Sequence, residues 1–184
     1  MRVVILGAGT AIPAARHSPS GIYVQVAGEH LLLDAGPGTL QRLAASRAPW
    51  HQLDRIFLTH FHIDHCLDIA SILFALRLPQ LHRRKPLAIY GPPGLRKLYQ
   101  RLNTAFSGWL TPRGFRLSLR ELRATTLRLK SYTVTTKPMD HYDTGAIGYR
   151  ITAAGNSMAY SGDTDSCRGV IELGRDAEVL ILEC

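Results

Sequence analysis

The sequence predicts a mixed α/β fold in one domain, residues 1–184, in which strands predominate and helices are interspersed. Three observations support this prediction. The length of 184 residues is that of a single domain. Short apolar runs bounded by Gly, Pro or Asn recur along the chain, as is typical of strands. Stretches with apolar residues at helical spacing lie between these runs.

The first half of the chain is predicted to contain four strands or strand pairs and two helices. The strands are RVVIL (2–6), the hairpin GIYVQVAGEHLLLD (21–34) with its turn at Gly28–Glu29, LDRIFLTH (53–60) and PLAIYG (86–91). One helix begins at Pro37, which suits a first helical turn, and the other is CLDIASILFALRL (66–78). Residues 7–21 are a loop, because they are rich in Gly, Pro and Ser.

The second half is predicted to contain a helix, five strands, a second helix and a last strand. The helices are LRKLYQRLNTAF (95–106) and CRGVIELGRDA (167–177). The strands are FRLSL (115–119), TTLRL (125–129), SYTVTTKP (131–138), the pair AIGYRIT (146–152) and SMAYSGDT (157–164), and a final buried strand EVLILEC (178–184). Because the sequence stops inside an apolar run, we expect further chain after Cys184.

Composition restricts the class of protein. There is no run of eighteen apolar residues that would predict a membrane helix, and the start does not have the pattern of a signal peptide. Three cysteines without a pairing pattern indicate a reducing compartment, and we expect a cytoplasmic location. The net charge of +8 favours an anionic partner such as a phosphate-bearing substrate, although a solvated Arg-rich surface would have the same composition.

The segment HFHIDH places His60, His62, Asp64 and His65 within six positions. Imidazole and carboxylate are ligands that zinc prefers. One tetrahedral site does not need four ligands so close together, so the spacing predicts two adjacent metal sites, one with His60 and His62 and one with Asp64 and His65. The isolated histidines are predicted not to be ligands, and these are His17, His30, His51 and His82.

Two later residues are candidates to complete these sites. His141 follows a predicted strand, and next to the cluster we interpret it as a third histidine ligand. Asp163 lies in the turn-like sequence YSGDT, where a carboxylate could bridge two cations about 3.5–4 Å apart. Cys66 follows His65 directly, but it begins an apolar helix and is predicted to be a buried structural thiol.

These residues carry a resemblance to a known family. The chain resembles metallo-β-lactamase-fold hydrolases, and within them the ribonuclease Z-like phosphodiesterases. The matching segments run in family order along nearly the whole chain: LGAGTAIPAARHSPSG, LLLDAGPGT, LTHFHIDH, DHYDTGAIGYRI and YSGDT. The resemblance implies an αββα sandwich with the metals at one edge.

The resemblance also implies a role for each candidate. His60, His62 and His141 would hold the first metal, Asp64 and His65 the second, and Asp163 would bridge them. Asp34 matches an aspartate that supports the ligand loop by hydrogen bonds, although an aspartate at a Gly-Pro turn is a plain alternative. The expected cofactors are two divalent ions, zinc above all, with manganese or iron as alternatives.

The implied activity is hydrolysis of a phosphodiester by a metal-bound hydroxide, with Asp64 orienting the nucleophile and accepting its proton. The substrate would be RNA or a small phosphodiester. Hydrolysis of a thioester, lactone or lactam, and an inactive metal-binding fragment, stay open as alternatives. No membrane partner is expected, and a homodimer is possible.

The chain departs from the family pattern in two places. The family has a last histidine ligand for the second metal downstream of the segment that matches VLILEC, and this sequence ends before it. The fold is therefore expected to lack its C-terminal part. Bacterial ribonuclease Z also binds transfer RNA with a long arm, which lies between the third-histidine motif and SGDT. In this sequence only about twenty residues separate His141 from Asp163, too few for such an arm and its strands.

Overall fold

Two β-sheets face each other across an apolar core, and helices cover both outer faces. The computed structural model describes residues 1–15 and 17–182. Helices α1, α3 and α4 pack on the first sheet, and α5 packs on the second. This helix–sheet–sheet–helix order confirms the predicted αββα sandwich.

The first sheet has the strand order β1-β2-β3-β4-β5-β6 in the described residues. Strands β1 to β3 form an antiparallel meander, and β3 to β6 run parallel. The strands are β1 (Arg2–Gly7), β2 (Gly21–Val26), β3 (Glu29–Leu33), β4 (Arg55–Phe57), β5 (Leu87–Gly91) and β6 (Leu117–Glu121).

The second sheet has the order β11-β10-β9-β8-β7, again in the described residues. Its pairs are antiparallel except for β10 and β11, which run parallel. The strands are β7 (Thr125–Arg128), β8 (Thr133–Pro138), β9 (Ile147–Ala153), β10 (Asn156–Tyr160) and β11 (Val179–Ile181). The helices are α1 (Thr39–Ala45), α2 (Ile63–Cys66), α3 (Ile69–Leu76), α4 (Leu95–Ala105) and α5 (Arg168–Gly174).

The strands of the first sheet are apolar on both faces because the sheet is covered by helices on one side and by the second sheet on the other. Tyr23 and Leu32 point towards the helices, whereas their neighbours Val24, Leu31 and Leu33 point into the core between the sheets. Successive side chains of a strand point to opposite faces, so a strand that is covered on both sides is apolar at every position.

Three predicted boundaries were wrong. The hairpin turn lies at Ala27–Gly28, both with positive φ, and Glu29 already pairs with Val26. The helix predicted at 66–78 begins only at Ile69 and ends at Leu76, and Cys66 belongs to the preceding short helix α2. Two backbone hydrogen bonds separate α2 from α3, since Ala35 N donates to His65 O and Asp68 N donates to Ala35 O. Strand β4 ends at Phe57, three residues before His60.

The burial predicted for the last strand was also wrong. Val179 and Leu180 are exposed, and among the described residues β11 is an edge strand that pairs only with β10. Part of that prediction, positions 183 and 184, lies outside the described residues. No helix in the described part of the chain has the length and apolarity needed to span a lipid bilayer.

Candidate metal centre

Four strand ends bring the predicted site residues to one edge of the sandwich. Asp34 follows β3, the histidine cluster follows β4, His141 follows β8 and Asp163 follows β10. Backbone hydrogen bonds join these segments: Asp34 N donates to Phe57 O at 2.8 Å, and Ile147 N donates to Thr59 O at 3.0 Å. The ends of both sheets are therefore fastened together at the site.

One group of side chains surrounds a single point. His60, His62, His141 and Asp163 each offer a ligand atom, and these atoms all lie within 4.8 Å of one another. His141 Nε2 is 3.1 Å from His62 Nδ1 and 3.6 Å from Asp163 Oδ2. Three imidazoles and a carboxylate at this spacing are a donor set that suits a divalent cation.

A second group meets the first at Asp163. His65 Nε2 is 3.1 Å from Asp163 Oδ1 and 3.9 Å from Asp64 Oδ2. The other oxygen of the same carboxylate, Oδ2, lies 4.0 Å from His60 Nε2. Asp163 therefore presents one oxygen to each group, and Asp64 and His65 come from the helical turn α2 rather than from an extended loop.

Asp34 lies fully buried beneath the histidines and accepts four hydrogen bonds. Thr59 donates to it twice, from N at 2.7 Å and from Oγ1 at 2.8 Å. His65 Nδ1 and the Tyr160 hydroxyl each lie 2.8 Å from Oδ2. Because Nδ1 of His65 is engaged by Asp34, its Nε2 is turned towards Asp163.

Two glycines allow the close approach of the loops. A Cβ on Gly36 would lie 2.0 Å from the carbonyl oxygen of Asp64, a distance no side chain tolerates. Gly162 has φ +60°, and a Cβ there would lie 2.7 Å from Thr59. Both positions need glycine, the second for its left-handed backbone as well.

The environment shifts the pKa values of His60 and His65 in opposite directions. Burial lowers the pKa of His60 to about 4, and the neighbouring His65 acts in the same direction, so His60 is neutral. Burial also disfavours the charged form of His65. Its hydrogen bonds to Asp163 and Asp34 outweigh burial and raise its pKa to about 11 in the metal-free chain, so a cation bound at His65 Nε2 would have to displace a proton.

A cation fits this arrangement. His60 Nε2 is buried and has no hydrogen-bond partner among the described residues. A buried polar atom without a partner costs free energy, and a cation at the centre of the first group would take up its lone pair. The donor chemistry and this orphaned nitrogen both match a divalent metal site.

The residues predicted not to be ligands lie elsewhere. His30 accepts or donates a hydrogen bond with the Tyr23 hydroxyl at 2.6 Å, and His17, His51 and His82 are exposed. Cys66 is buried, and burial raises the pKa of its thiol to about 12. A thiol that stays protonated is inert, in keeping with the structural role predicted for it.

The sequence did not point to Tyr160, Ser20 or Thr59 as parts of the site. The Tyr160 hydroxyl lies 2.7 Å from Ser20 Oγ as well as contacting Asp34, so it connects three distant segments. A buried tyrosine in an alternating strand looks like an ordinary core residue, and the only hint was its place at the end of β10 beside YSGDT.

Comparison with known proteins identifies relatives along nearly the whole chain. The family described as "beta-lactamase superfamily domain" matches residues 29–184. Ribonuclease Z of Mycolicibacterium gilvum is 33% identical over 202 residues, which cover 98% of this chain and 68% of that protein. Ribonuclease Z of Methanosarcina mazei is 27% identical over 234 residues, covering 98% and 74%. Ribonuclease Z of Thermococcus gammatolerans is matched over only 46% of its length.

Solved structures agree on the fold. The short form of human tRNase Z superimposes with a TM-score of 0.83 at 24% identity, covering 97% of this chain and 76% of that one. The metallo-beta-lactamase fold protein YhfI of Bacillus subtilis has a TM-score of 0.79 at 26% identity, covering 97% and 68%. On the family match and the ribonuclease Z relatives, the chain belongs to the beta-lactamase superfamily, in its ribonuclease Z-like branch of metal-dependent hydrolases.

Proposed function

We propose that this centre hydrolyses phosphodiester bonds with two divalent cations, zinc above all. His60, His62 and His141 hold the first ion, and Asp64 and His65 hold the second. Asp163 directs Oδ2 towards His60 and Oδ1 towards His65, so its carboxylate could serve both ions. Two observations support the proposal: the two groups meet at Asp163, and the buried His60 Nε2 has no hydrogen-bond partner in the part of the chain that the structure describes.

The bound ions would supply Lewis-acid chemistry, lowering the pKa of water and neutralising charge on the phosphoryl oxygens. The chain's own residues would supply position and proton transfer. Asp64 borders the site cavity with His141 and Asp163, where its carboxylate can orient an attacking water and accept its proton. Asp34 holds His65 and the Thr59 backbone in place beneath the ligands.

The substrate class is proposed from charge and from relatives. The chain has a net charge of +8, which favours an anionic substrate. Its relatives carry the name ribonuclease Z, so the phosphodiester would be RNA or a smaller ester. The match to the Methanosarcina protein spans 234 residues against 184 in this chain, so that relative has additional segments that cannot be used for substrate binding here.

Metal content per chain is the first test. Elemental analysis of the purified protein after dialysis against zinc is expected to give about two ions per chain. About one ion would mean that the second group does not bind by itself, which supports the alternative of an inert metal-binding fragment. No bound ion would contradict every ligand assignment.

Variants and a substrate panel test the reaction. His62→Ala and Asp64→Ala are expected to abolish hydrolysis of bis(p-nitrophenyl) phosphate while the circular dichroism spectrum is unchanged. His51→Ala is the matched control, because it removes an exposed histidine away from the site. Turnover that survives both site changes would refute the proposal. Faster turnover of a p-nitrophenyl thioester than of the phosphodiester would favour the alternative activity, hydrolysis of a thioester, lactone or lactam.

A further inference from the structure

The cavity at the metal centre is small. It measures about 270 Å³ and is lined by Thr10, Asp64, His141, Tyr142 and Asp163, together with Thr164 and Asp165. Pockets that enclose a whole small-molecule ligand measure about 300–1,000 Å³. The cavity therefore has room for a phosphodiester group, and the groups attached to that phosphate have to lie outside it, over the rim.

The rim is apolar. The three most exposed large apolar side chains in the described part of the chain are Tyr142 (87% exposed), Ile12 (80%) and Ile63 (68%). Each is close in sequence to the cavity: Tyr142 follows His141, Ile63 precedes Asp64, and Ile12 lies two residues after Thr10. We call Ile12, Ile63 and Tyr142 the apolar rim. Because Tyr142 also lines the cavity, its exposed ring borders the place where a phosphate would bind.

Tyr142 is held on this rim at a conformational cost. Its φ is +46°, a left-handed conformation that is rare for a bulky residue and that Gly or Asn would adopt more easily. The turn is fastened on both sides, since Thr144 Oγ1 donates to His141 O at 2.6 Å and Asp165 N donates to Asp140 O at 2.7 Å. Burial of the Tyr142 ring does not offset this conformational cost, because the ring is exposed. We therefore interpret its position as one that serves contact with a ligand.

The Tyr142 ring has a defined orientation. It packs edge-on against His141, with 5.0 Å between ring centroids and an interplanar angle of 61°. This contact with a proposed ligand covers only a small part of the Tyr142 ring, since the residue is 87% exposed. A flat ring beside the scissile phosphate is a surface on which another planar ring can stack.

We infer that Tyr142 is the stacking platform for a nucleobase next to the phosphodiester that enters the cavity, with Ile12 and Ile63 contacting the base edges or the adjoining sugar. This inference rests on the proposed phosphodiesterase function and adds the class of group that flanks the reactive phosphate. Stacking on an aromatic ring tolerates every base, because each base has a π-face. The chain should therefore prefer nucleotide phosphodiesters over alkyl ones, without strong preference among bases.

The test compares two probes on the zinc-loaded chain: a phosphorothioate-linked dinucleotide carrying 2-aminopurine, and the matched abasic phosphorothioate. Tyr142→Ala is expected to weaken binding of the base-bearing probe by about fivefold or more, the lower range for loss of one base–aromatic stack. It should leave the affinity for the abasic probe unchanged and remove the quenching of 2-aminopurine fluorescence. Tyr142→Phe should retain both affinity and quenching, and Phe106→Ala, an exposed aromatic away from the site, should behave as wild type.

Stability separates binding from a structural role. Tyr142→Gly removes the strained φ, so its melting temperature should be equal to or above that of the wild type, while it loses affinity for the base-bearing probe. Equal wild-type affinity for the two probes would overturn this inference and leave the phosphodiesterase proposal standing. Binding of neither probe by zinc-loaded wild type would overturn both. An unchanged affinity of Tyr142→Ala for the base-bearing probe would overturn the stacking role alone.

Discussion

Replacing Asp34 by Asn tests whether this buried carboxylate supports the metal centre. Its Oδ2 accepts hydrogen bonds from Thr59 Oγ1, His65 Nδ1 and the Tyr160 hydroxyl, and its Oδ1 accepts one from Thr59 N. An amide keeps the shape but can place only one oxygen among these donors and adds an NH₂ group. Removing one partner of a buried, hydrogen-bonded charge pair costs about 3–5 kcal/mol. We therefore expect Asp34→Asn to lower the free energy of unfolding by that amount.

The same change should weaken metal binding. A carboxylate that orients a ligating histidine contributes about 10–100-fold in metal affinity. The assays are urea unfolding of the metal-free chain and competitive zinc titration with a chromophoric chelator. Asp54→Asn is the matched control: its carboxylate accepts bonds from His30 N and Lys85 Nζ, both at 2.8 Å, just before β4 and away from the site.

We expect Asp54→Asn to cost some stability and to leave zinc affinity as in the wild type. If Asp34→Asn is too unstable to purify, Tyr160→Phe removes one hydroxyl with its hydrogen bonds to Asp34 and Ser20 and should cost about 1–3 kcal/mol. Wild-type stability and wild-type zinc affinity in Asp34→Asn would refute the supporting role.

Three further predictions concern packing, pH and the sheet edge. Gly36→Ala should cost about 1–3 kcal/mol in urea unfolding and weaken zinc binding, because the new Cβ displaces the Asp64 backbone, and a wild-type result in both would contradict the close approach. Burial raises the pKa of the Tyr132 hydroxyl above its ordinary value of 10.0. The folded chain therefore keeps this proton at a pH where the unfolded chain loses it, so the contribution of Tyr132 to the unfolding free energy is complete below about pH 10 and is lost as pH rises further. Tyr132→Phe should therefore flatten the fall in unfolding free energy between pH 9.5 and 11, and identical slopes would show the reasoning to be wrong. Ser118 and Arg120 lie on the inner face of edge strand β6, where the charge of Arg120 opposes the addition of another strand. Replacing both residues by Val should therefore cause self-association that light scattering detects. An unchanged particle size would argue against this reasoning.

Local patterns were sufficient for most strands and helices and for the choice of candidate ligands, whereas the αββα layers were predicted from the family resemblance. The strands of the first sheet are visible as short apolar runs, and the ligand types in HFHIDH are close together because one short segment after β4 supplies candidates for both groups. Properties that depend on distant contacts were not visible. The break between α2 and α3 comes from hydrogen bonds to Ala35, and the exposure of Leu180 comes from the edge position of β11. Tyr160 contacts Asp34 across 126 residues of sequence, and no short-range pattern reports such a contact.

The division of the proposed ligands between the two sheets has a consequence for folding. His62 follows a strand of the first sheet and His141 a strand of the second, and they are 79 residues apart in sequence. An ion held by both would act as a cross-link that closes a long loop, in the way that a disulfide does. The entropy cost of closing a loop grows with its length, so such a link restricts the unfolded chain strongly. Zinc would then tie the two sheets together, and the thermal stability of the fold would rise with the concentration of free zinc.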